Sequence, residues 1–271
     1  MTIRNLRHKR VLVTGAASGI GRATALAFAR QGAELVLCDL DAARLEPVRD
    51  AVCALGAPCT TYGVDVSDEA AMHAFSERVH AQGGALDILV NNAGIGYLGA
   101  FLDSPSDSWR RTLGINVMGV VHGLRFFLPQ MHAASGSRRV VNVASVAGIA
   151  PAPNMSAYAA SKSAVIGLSE SLSLELRLRN SRVGMTVVCP GIINTAITHN
   201  ANNVSPAIDA AQLAKLQAFY EAKGVNADVV ADAIVDAVRS GRELVLVGPF
   251  AKPLYHLRRL SRAGHHQVPP S

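Results

Sequence analysis

Tyr158 and Lys162, in the run Tyr158-Ala159-Ala160-Ser161-Lys162, are the pair in this 271-residue chain best suited to chemistry. On a helix, residues at i and i+4 share one face, a single turn apart. A nearby ammonium favours the phenolate and draws a tyrosine down from its ordinary pKa of about 10. Such a pair can serve as a general acid and base. Alone, the spacing is common on surface helices, and its weight depends on what else the chain carries. A second candidate is the turn Thr14-Gly15-Ala16-Ala17-Ser18-Gly19-Ile20-Gly21, which follows an apolar run and opens a helical pattern. Its glycines are spaced G-x-x-x-G-x-G rather than G-x-G-x-x-G. The physics is the same: glycines admit a pyrophosphate close to the backbone, and a helix N-terminus offers free N–H groups and a positive dipole end. Asp39 ends the next apolar run, 18 residues past Gly21. A carboxylate there accepts from both ribose hydroxyls of an adenosine and repels a 2′-phosphate. No Arg or Lys follows it directly, and Arg44 is the nearest base. These features favour NAD over NADP. The blander role of turn acid or helix cap suits Asp41 better than Asp39.

The elements that must position these residues read as βαβ units. Short apolar runs predict strands over 10–13, 34–39, 59–64, 86–91, 139–144, 183–189 and 243–247. Between them, apolar spacing predicts helices over 19–31, 42–55, 69–81, 107–131, 158–178 and 228–240. Strands alternating with helices imply an α/β fold, a doubly wound parallel sheet covered on both faces. Ligands then bind beyond the carboxyl ends of the strands. No linker or repeat interrupts the chain, so one domain over 1–271 is expected, with a core of 8–248.

The residues after successive strands complete a pattern. Asn91-Asn92-Ala93-Gly94 follows the fourth strand, Ser145 the fifth and Pro190-Gly191 the sixth. With the glycine turn and the Tyr158/Lys162 pair in that order, the chain resembles the short-chain dehydrogenase/reductase family over residues 8–248. The resemblance implies a single-domain Rossmann fold and roles for matching positions. Gly15, Ser18, Gly19, Ile20 and Gly21 would form the cofactor turn. Asp65 and Val66 would hold the adenine, and Asn92, Ala93 and Gly94 would border its ribose. Pro190, Gly191, Ile193 and Thr195 would hold the nicotinamide carboxamide. Asn116, Ser145, Tyr158 and Lys162 would be the catalytic set: Tyr158 the acid/base, Ser145 a donor to the substrate oxygen, Lys162 the group that lowers Tyr158 and bonds the nicotinamide ribose. Asn116 would hold a relay water leading from Lys162 to solvent. No metal is called for. The resemblance also implies a homotetramer or homodimer.

Composition narrows the alternatives. Hydrophobic residues make up 49% and charged residues 17%, enough to bury a large core. The net charge of +6 comes from the two ends. Residues 1–10 and 251–271 each carry four cations and no acid, leaving −2 for the body. A nucleic-acid-binding module is therefore the weakest reading. Four cysteines without C-x-x-C spacing signal neither a zinc site nor a redox dithiol. His122, His132 and His199 lack partners at metal-ligand spacing. No secretory signal or membrane span is read, so a cytoplasmic protein is expected.

On the substrate side, residues 196–224 read as a lid, with a helix over 209–223 turning Leu213, Leu216 and Phe219 inward. Ile95, Gly96, Tyr97, Val146, Ile149, Ala150, Met155, Ile193 and Ile197 are the expected lining, apolar and without Arg or Lys. A small hydrophobic secondary alcohol or ketone is the expected substrate. The tail over 249–271 carries leucines at helical spacing among arginines, fit for a membrane surface, a partner subunit or the protein itself. The leading function is an NAD-dependent alcohol dehydrogenase or ketone reductase. A 3-oxoacyl-carrier-protein reductase using NADPH and a non-catalytic dinucleotide sensor are the alternatives.

Overall fold

The structure, a computed structural model, describes residues 1–194 and 203–260. Seven parallel strands form one sheet: β1 (Arg10–Thr14), β2 (Glu34–Asp39), β3 (Cys59–Gly63), β4 (Ile88–Asn91), β5 (Arg138–Val143), β6 (Val183–Pro190) and β7 (Leu244–Val247). Their order is β3-β2-β1-β4-β5-β6-β7. The chain runs outward to β3, then returns past β1 to β4, so the winding reverses between β1 and β4. A crevice opens at such a point beyond the carboxyl ends of the strands.

The strands are apolar on both faces because both faces are covered. In β1, Val11 and Val13 join one core and Leu12 the other; in β2, Leu35 and Leu37 oppose Val36 and Cys38. The first core is closed by α1 (Gly19–Ala29), α2 (Glu46–Ala54) and α8 (Ala227–Ser240). The second is closed by α3 (Glu69–Gly83), α5 (Gly119–Ala133) and α6 (Ser156–Leu178). Three helices flank the crevice instead: α4 (Ser106–Leu113), α7 (Ala210–Lys223) and α9 (Ala251–Leu260).

Most strand ends lie within a residue or two of their expected places, the usual uncertainty of element boundaries. Two helices differ in kind. The helix expected over 42–55 begins as a 3₁₀ turn, Ala42–Leu45, whose entry Asp41 caps by accepting from the Ala43 amide at 2.9 Å. The helix expected over 107–131 is α4, then a π turn at Gly114–Met118, then α5. A single inserted residue widens the helix there while leaving the apolar spacing on either side intact, so periodicity alone does not reveal it.

The amino ends of the strands are tied by cations. Arg139, buried in β5, donates to the Met185 carbonyl at 2.9 Å, to Thr186 Oγ1 at 2.7 Å and to the Met1 carbonyl. Arg10 bonds Glu34 at 3.0 Å and the Val79 and Gly84 carbonyls at 2.9 Å each. Among the described residues, no helix is long and apolar enough to cross a membrane.

Candidate active site

One cleft of about 1800 Å³ runs over the carboxyl ends of the strands. At one end lies the glycine turn. Gly15 (φ +65°) and Gly19 (φ +52°) adopt the left-handed backbone that glycine tolerates. Gly21 is required for a different reason: a Cβ there would stand 2.1 Å from the Gly15 carbonyl oxygen. Ser18 is the extended N-cap residue of α1, its side chain makes no capping bond, and the first turn carries no acid. The opening amides of α1 therefore stay available to an anion.

Asn92 fixes this turn from across the winding reversal. Its Nδ2 donates to the Thr14 carbonyl at 2.9 Å and the Gly15 carbonyl at 3.2 Å. The Asn92 and Ala93 amides both donate to Thr14 Oγ1 at 3.0 Å. Asp39 reaches the turn as well, accepting from the Ala17 amide at 2.9 Å and the Leu40 amide at 2.9 Å. Asp39 and Arg44 both line the cleft. Asp65 closes its own turn by accepting from the Ser67 amide at 2.8 Å and hydroxyl at 2.7 Å. The Val66 side chain packs on Gly119, and its carbonyl meets buried His122 Nδ1 at 2.8 Å.

Ser145, Tyr158 and Lys162 line the middle of the cleft, and Asn116 lies fully buried behind its wall. Ser145 follows β5 and caps the 3₁₀ turn Val146–Gly148, its Oγ accepting from the Ala147 amide at 3.1 Å. Gly148 presses that turn onto α6, where a Cβ would meet the Lys162 backbone at 2.6 Å. Tyr158 and Lys162 sit in the first turns of α6, only 9% and 4% exposed. Lys162 Nζ donates to the Val143 carbonyl at 2.9 Å and lies 5.7 Å from the Tyr158 ring centre. Asn116, in the π turn, grips the Ile95 backbone: Oδ1 accepts from its amide at 2.8 Å and Nδ2 donates to its carbonyl at 2.9 Å. Nδ2 also donates to Ser161 Oγ at 3.0 Å, and that hydroxyl donates to the Tyr158 carbonyl at 2.7 Å. Gly94 faces both Asn116 Oδ1 and Lys162 Nζ, which a Cβ would approach to 3.2 and 3.4 Å.

The electrostatics differ from the sequence expectation. Burial pushes the Tyr158 phenol up to about 12, and a hydrogen bond from Ser145 pulls against it. Burial likewise brings Lys162 down to about 8. Lys162 therefore does not hold Tyr158 low in the cofactor-free protein, because both groups have lost their water. Cys189 is core, its thiol raised to about 12 by burial.

At the far end, Gly191 packs against the Pro249 carbonyl, where a Cβ would stand at 2.0 Å. Pro190, Gly191 and Ile193 line the cleft, and Ile193 bridges to Val225. Thr195, Ile197 and His199 lie outside the described residues, as does the tail beyond 260. On α7, Leu216 and Phe219 line the cleft as expected and Leu213 does not; Tyr220, unread in the sequence, does. Its phenol raises Tyr158 further. Leu254 of α9 also reaches the cleft. The expected lining is found apart from Ile149 and from Ile197, which is outside the described residues, but it is not free of cations: Arg110, Arg111 and Lys215 join it. They stand on α4 and on the lid, away from the strand-end loops where the sequence reading looked.

The model of the short chain dehydrogenase family matches residues 9–205, about three quarters of the chain. The chain belongs to the short-chain dehydrogenase family. Probable oxidoreductase EphD of Mycobacterium tuberculosis is 41% identical over 254 residues, 92% of this chain and 43% of the relative. This short-chain dehydrogenase thus spans less than half the length of that curated relative. A short-chain dehydrogenase/reductase from Burkholderia phymatum, solved in complex with NAD, is similar at 33% identity and a TM-score of 0.88, covering 99% of this chain and 98% of its own. A metagenomic short-chain oxidoreductase solved with NADP is similar at 29% identity and a TM-score of 0.73, covering 90% of this chain and 98% of its own. These two solved relatives of the short-chain dehydrogenase thus hold NAD in one case and NADP in the other.

Proposed function

We propose that the protein transfers hydride between NAD(H) and a secondary alcohol or ketone with an apolar body. The observation that carries this reading is the convergence of Ser145, Tyr158, Lys162 and Asn116 beyond the ends of β4 and β5, beside an uncapped helix N-terminus. A dinucleotide fits the residues present. The α1 amides suit its pyrophosphate, and Asp39 suits unmodified ribose hydroxyls. A bound nicotinamide supplies the acceptor or donor of hydride.

The chain's own groups handle the proton. In ketone reduction Tyr158 gives its phenolic proton to the substrate oxygen, and its raised pKa keeps that proton in place across neutral pH. Ser145 donates to the same oxygen and stabilises the charge that grows there. In alcohol oxidation Tyr158 must first lose its proton, which requires added positive charge nearby. Protonated Lys162, one turn away, supplies part of it. Asn116 acts by position: its grip on Ile95 and Ser161 joins the loop after β4 to α6, so Lys162 and Tyr158 stay aligned.

The NADP reading keeps one observation in its favour, since Arg44 lines the cleft beside Asp39 and Leu40. Turnover of a panel of aliphatic, aromatic and steroid-like secondary alcohols tests both, with NAD⁺ and NADP⁺, in wild type and Tyr158→Phe. Activity with NAD⁺ that disappears in the variant is expected. Turnover with NADP⁺ alone would overturn the reading of Asp39, and undiminished turnover in Tyr158→Phe would overturn the mechanism.

A further inference from the structure

The reaction above leaves a polar recess without a role. It has a volume of about 200 Å³ and is lined by Arg111, Thr112, Ser108 and Asp107 of α4 together with Asn203. Ile95 and Tyr97 complete it, and both, like Arg111 and Asn203, also line the main cleft. The recess therefore adjoins the cleft, with four lining residues in common. Its Ile95 follows Gly94, which faces Lys162 and Asn116.

Among the described residues, the donors there lack an anionic partner. Arg111 Nη1 donates to the neutral amide oxygen of Asn203 at 3.0 Å, and Asn203 is 5% exposed. The Asn203 carbonyl in turn accepts from the Leu98 amide at 2.9 Å, so the arginine rests on a fixed support. Asp107 is the one carboxylate lining the recess, and Arg110 holds it at 2.6 Å. Two guanidinium groups against one acid leave a unit of positive charge. Thr112 is fully buried, and among the described residues its hydroxyl has no hydrogen-bond partner. An orphaned buried hydroxyl is costly and calls for a ligand or water to complete it. The lid adds Lys215, while the carboxylates lining the main cleft, Asp39 and Asp65, stand at the nucleotide end.

We propose that this recess binds a carboxylate of the substrate, with Arg111 as its anchor. The preferred substrate is then a hydroxy or oxo acid with an apolar body, not a neutral alcohol. The planar guanidinium fork matches a carboxylate in two parallel bonds, which a lysine ammonium cannot reproduce. The proposal rests on the hydride-transfer reading of the same cleft.

The test uses (ω−1)-hydroxy acids from hydroxybutanoate to hydroxydodecanoate, each beside its methyl ester, with NAD⁺. Wild type, Arg111→Gln, Arg111→Lys and Tyr158→Phe are compared. At the best chain length, kcat/KM for the acid is expected to exceed that for the ester by about tenfold or more. Arg111→Gln should erase that preference, and Arg111→Lys should retain part of it. The chain's single tryptophan, Trp109, lies two residues from Arg111 and gives a second readout. Its fluorescence should report tighter binding of decanoate than of decan-1-ol in wild type, and equal binding in Arg111→Gln. Esters turned over as well as acids at every length would overturn the proposal. So would an acid preference that survives Arg111→Gln, or decanoate that binds no better than decan-1-ol. If Tyr158→Phe keeps its turnover while the Arg111 results hold, the hydride-transfer reading fails and the carboxylate site stands. If no compound is turned over, the Trp109 titrations alone decide.

Discussion

At the nucleotide end of the cleft, the glycine turn, Asp39 and Asn92 hang from buried strands. β1 and β4 are buried along their whole length, α1 buries most of its residues, and the Thr14–Asn92 bonds join the two strands at the turn. At the substrate end, α7 buries no residue and α4 buries only Thr112. The first end is rigid because the core and the site share atoms. The second is set on marginal elements, whose shape can change at little cost to the fold. A cofactor common to many enzymes suits the first construction, and a substrate particular to one suits the second.

Tyr158 lies at the seam between the two ends, and its loss is expected to have the largest effect. General acid–base groups contribute about 10²–10⁴ in rate. Tyr158→Phe should lower kcat/KM by about 10³ while leaving the NADH dissociation constant within about threefold. A matching loss of NADH binding would mean that Tyr158 belongs to the rigid nucleotide end and not to the chemistry.

Gly21→Ala tests rigidity at the nucleotide end directly. Its Cβ would meet a backbone oxygen at 2.1 Å, and backbone cannot swing aside as a side chain can. The expected cost is about 3 kcal/mol of stability, near the upper end for overpacking. At roughly 2–4 °C per kcal/mol for a chain of this size, thermal unfolding should show it plainly. NADH affinity should fall with it. A variant that unfolds like wild type and binds NADH would break the claim that site and core share atoms here.

Asp39→Asn should change cofactor choice more than stability. Removing the charge takes away repulsion of a 2′-phosphate and leaves Arg44 beside it, so the NADP⁺/NAD⁺ ratio of kcat/KM should rise about 10- to 100-fold, or roughly 1.4–2.7 kcal/mol. An unchanged ratio would remove the carboxylate from cofactor selection.

Lys162 shows that the seam costs stability. Burial lowers its pKa from 10.5 to about 8. Between those values the unfolded chain binds the extra proton, so this group's contribution to stability rises with pH across that window. Below pH 8 the full penalty of a buried ammonium is present. Lys162→Met should therefore stabilise the cofactor-free protein at pH 7 by about 1–2 kcal/mol, the desolvation gain less the lost bond to the Val143 carbonyl. The gain should shrink toward pH 10. A destabilised variant at pH 7 would show that the lysine is held for structure and not for function.

The same division governs what the sequence made legible. Gly15, Gly21, Asp39 and Asn92 were readable because each follows a strand at a fixed offset, and a strand in a doubly wound sheet announces itself by a short apolar run. The π turn that carries Asn116 was not, since one extra residue leaves the apolar spacing on both sides unchanged. Arg111 was missed because its place depends on Asn203, 92 residues away. Tyr220 was missed because no local pattern says that a lid residue will meet Tyr158. The raised Tyr158 pKa needed burial, which spacing does not show.

Phe219→Ala gives the smallest effect and the most specific one. Phe219 lines the cleft from α7 and is only half-buried, so truncation opens no closed cavity. The full core cost of a Phe truncation, about 3–5 kcal/mol, does not apply. Stability should change by less than about 0.5 kcal/mol, as for surface substitutions. Substrate contact is lost all the same, and about 1 kcal/mol of apolar contact corresponds to a roughly fivefold rise in KM for a long-chain substrate. Binding of NADH should stay as in wild type. If Phe219→Ala instead lowers the unfolding temperature as Gly21→Ala is expected to, then the lid is part of the core and the contrast between the two ends of the cleft does not hold.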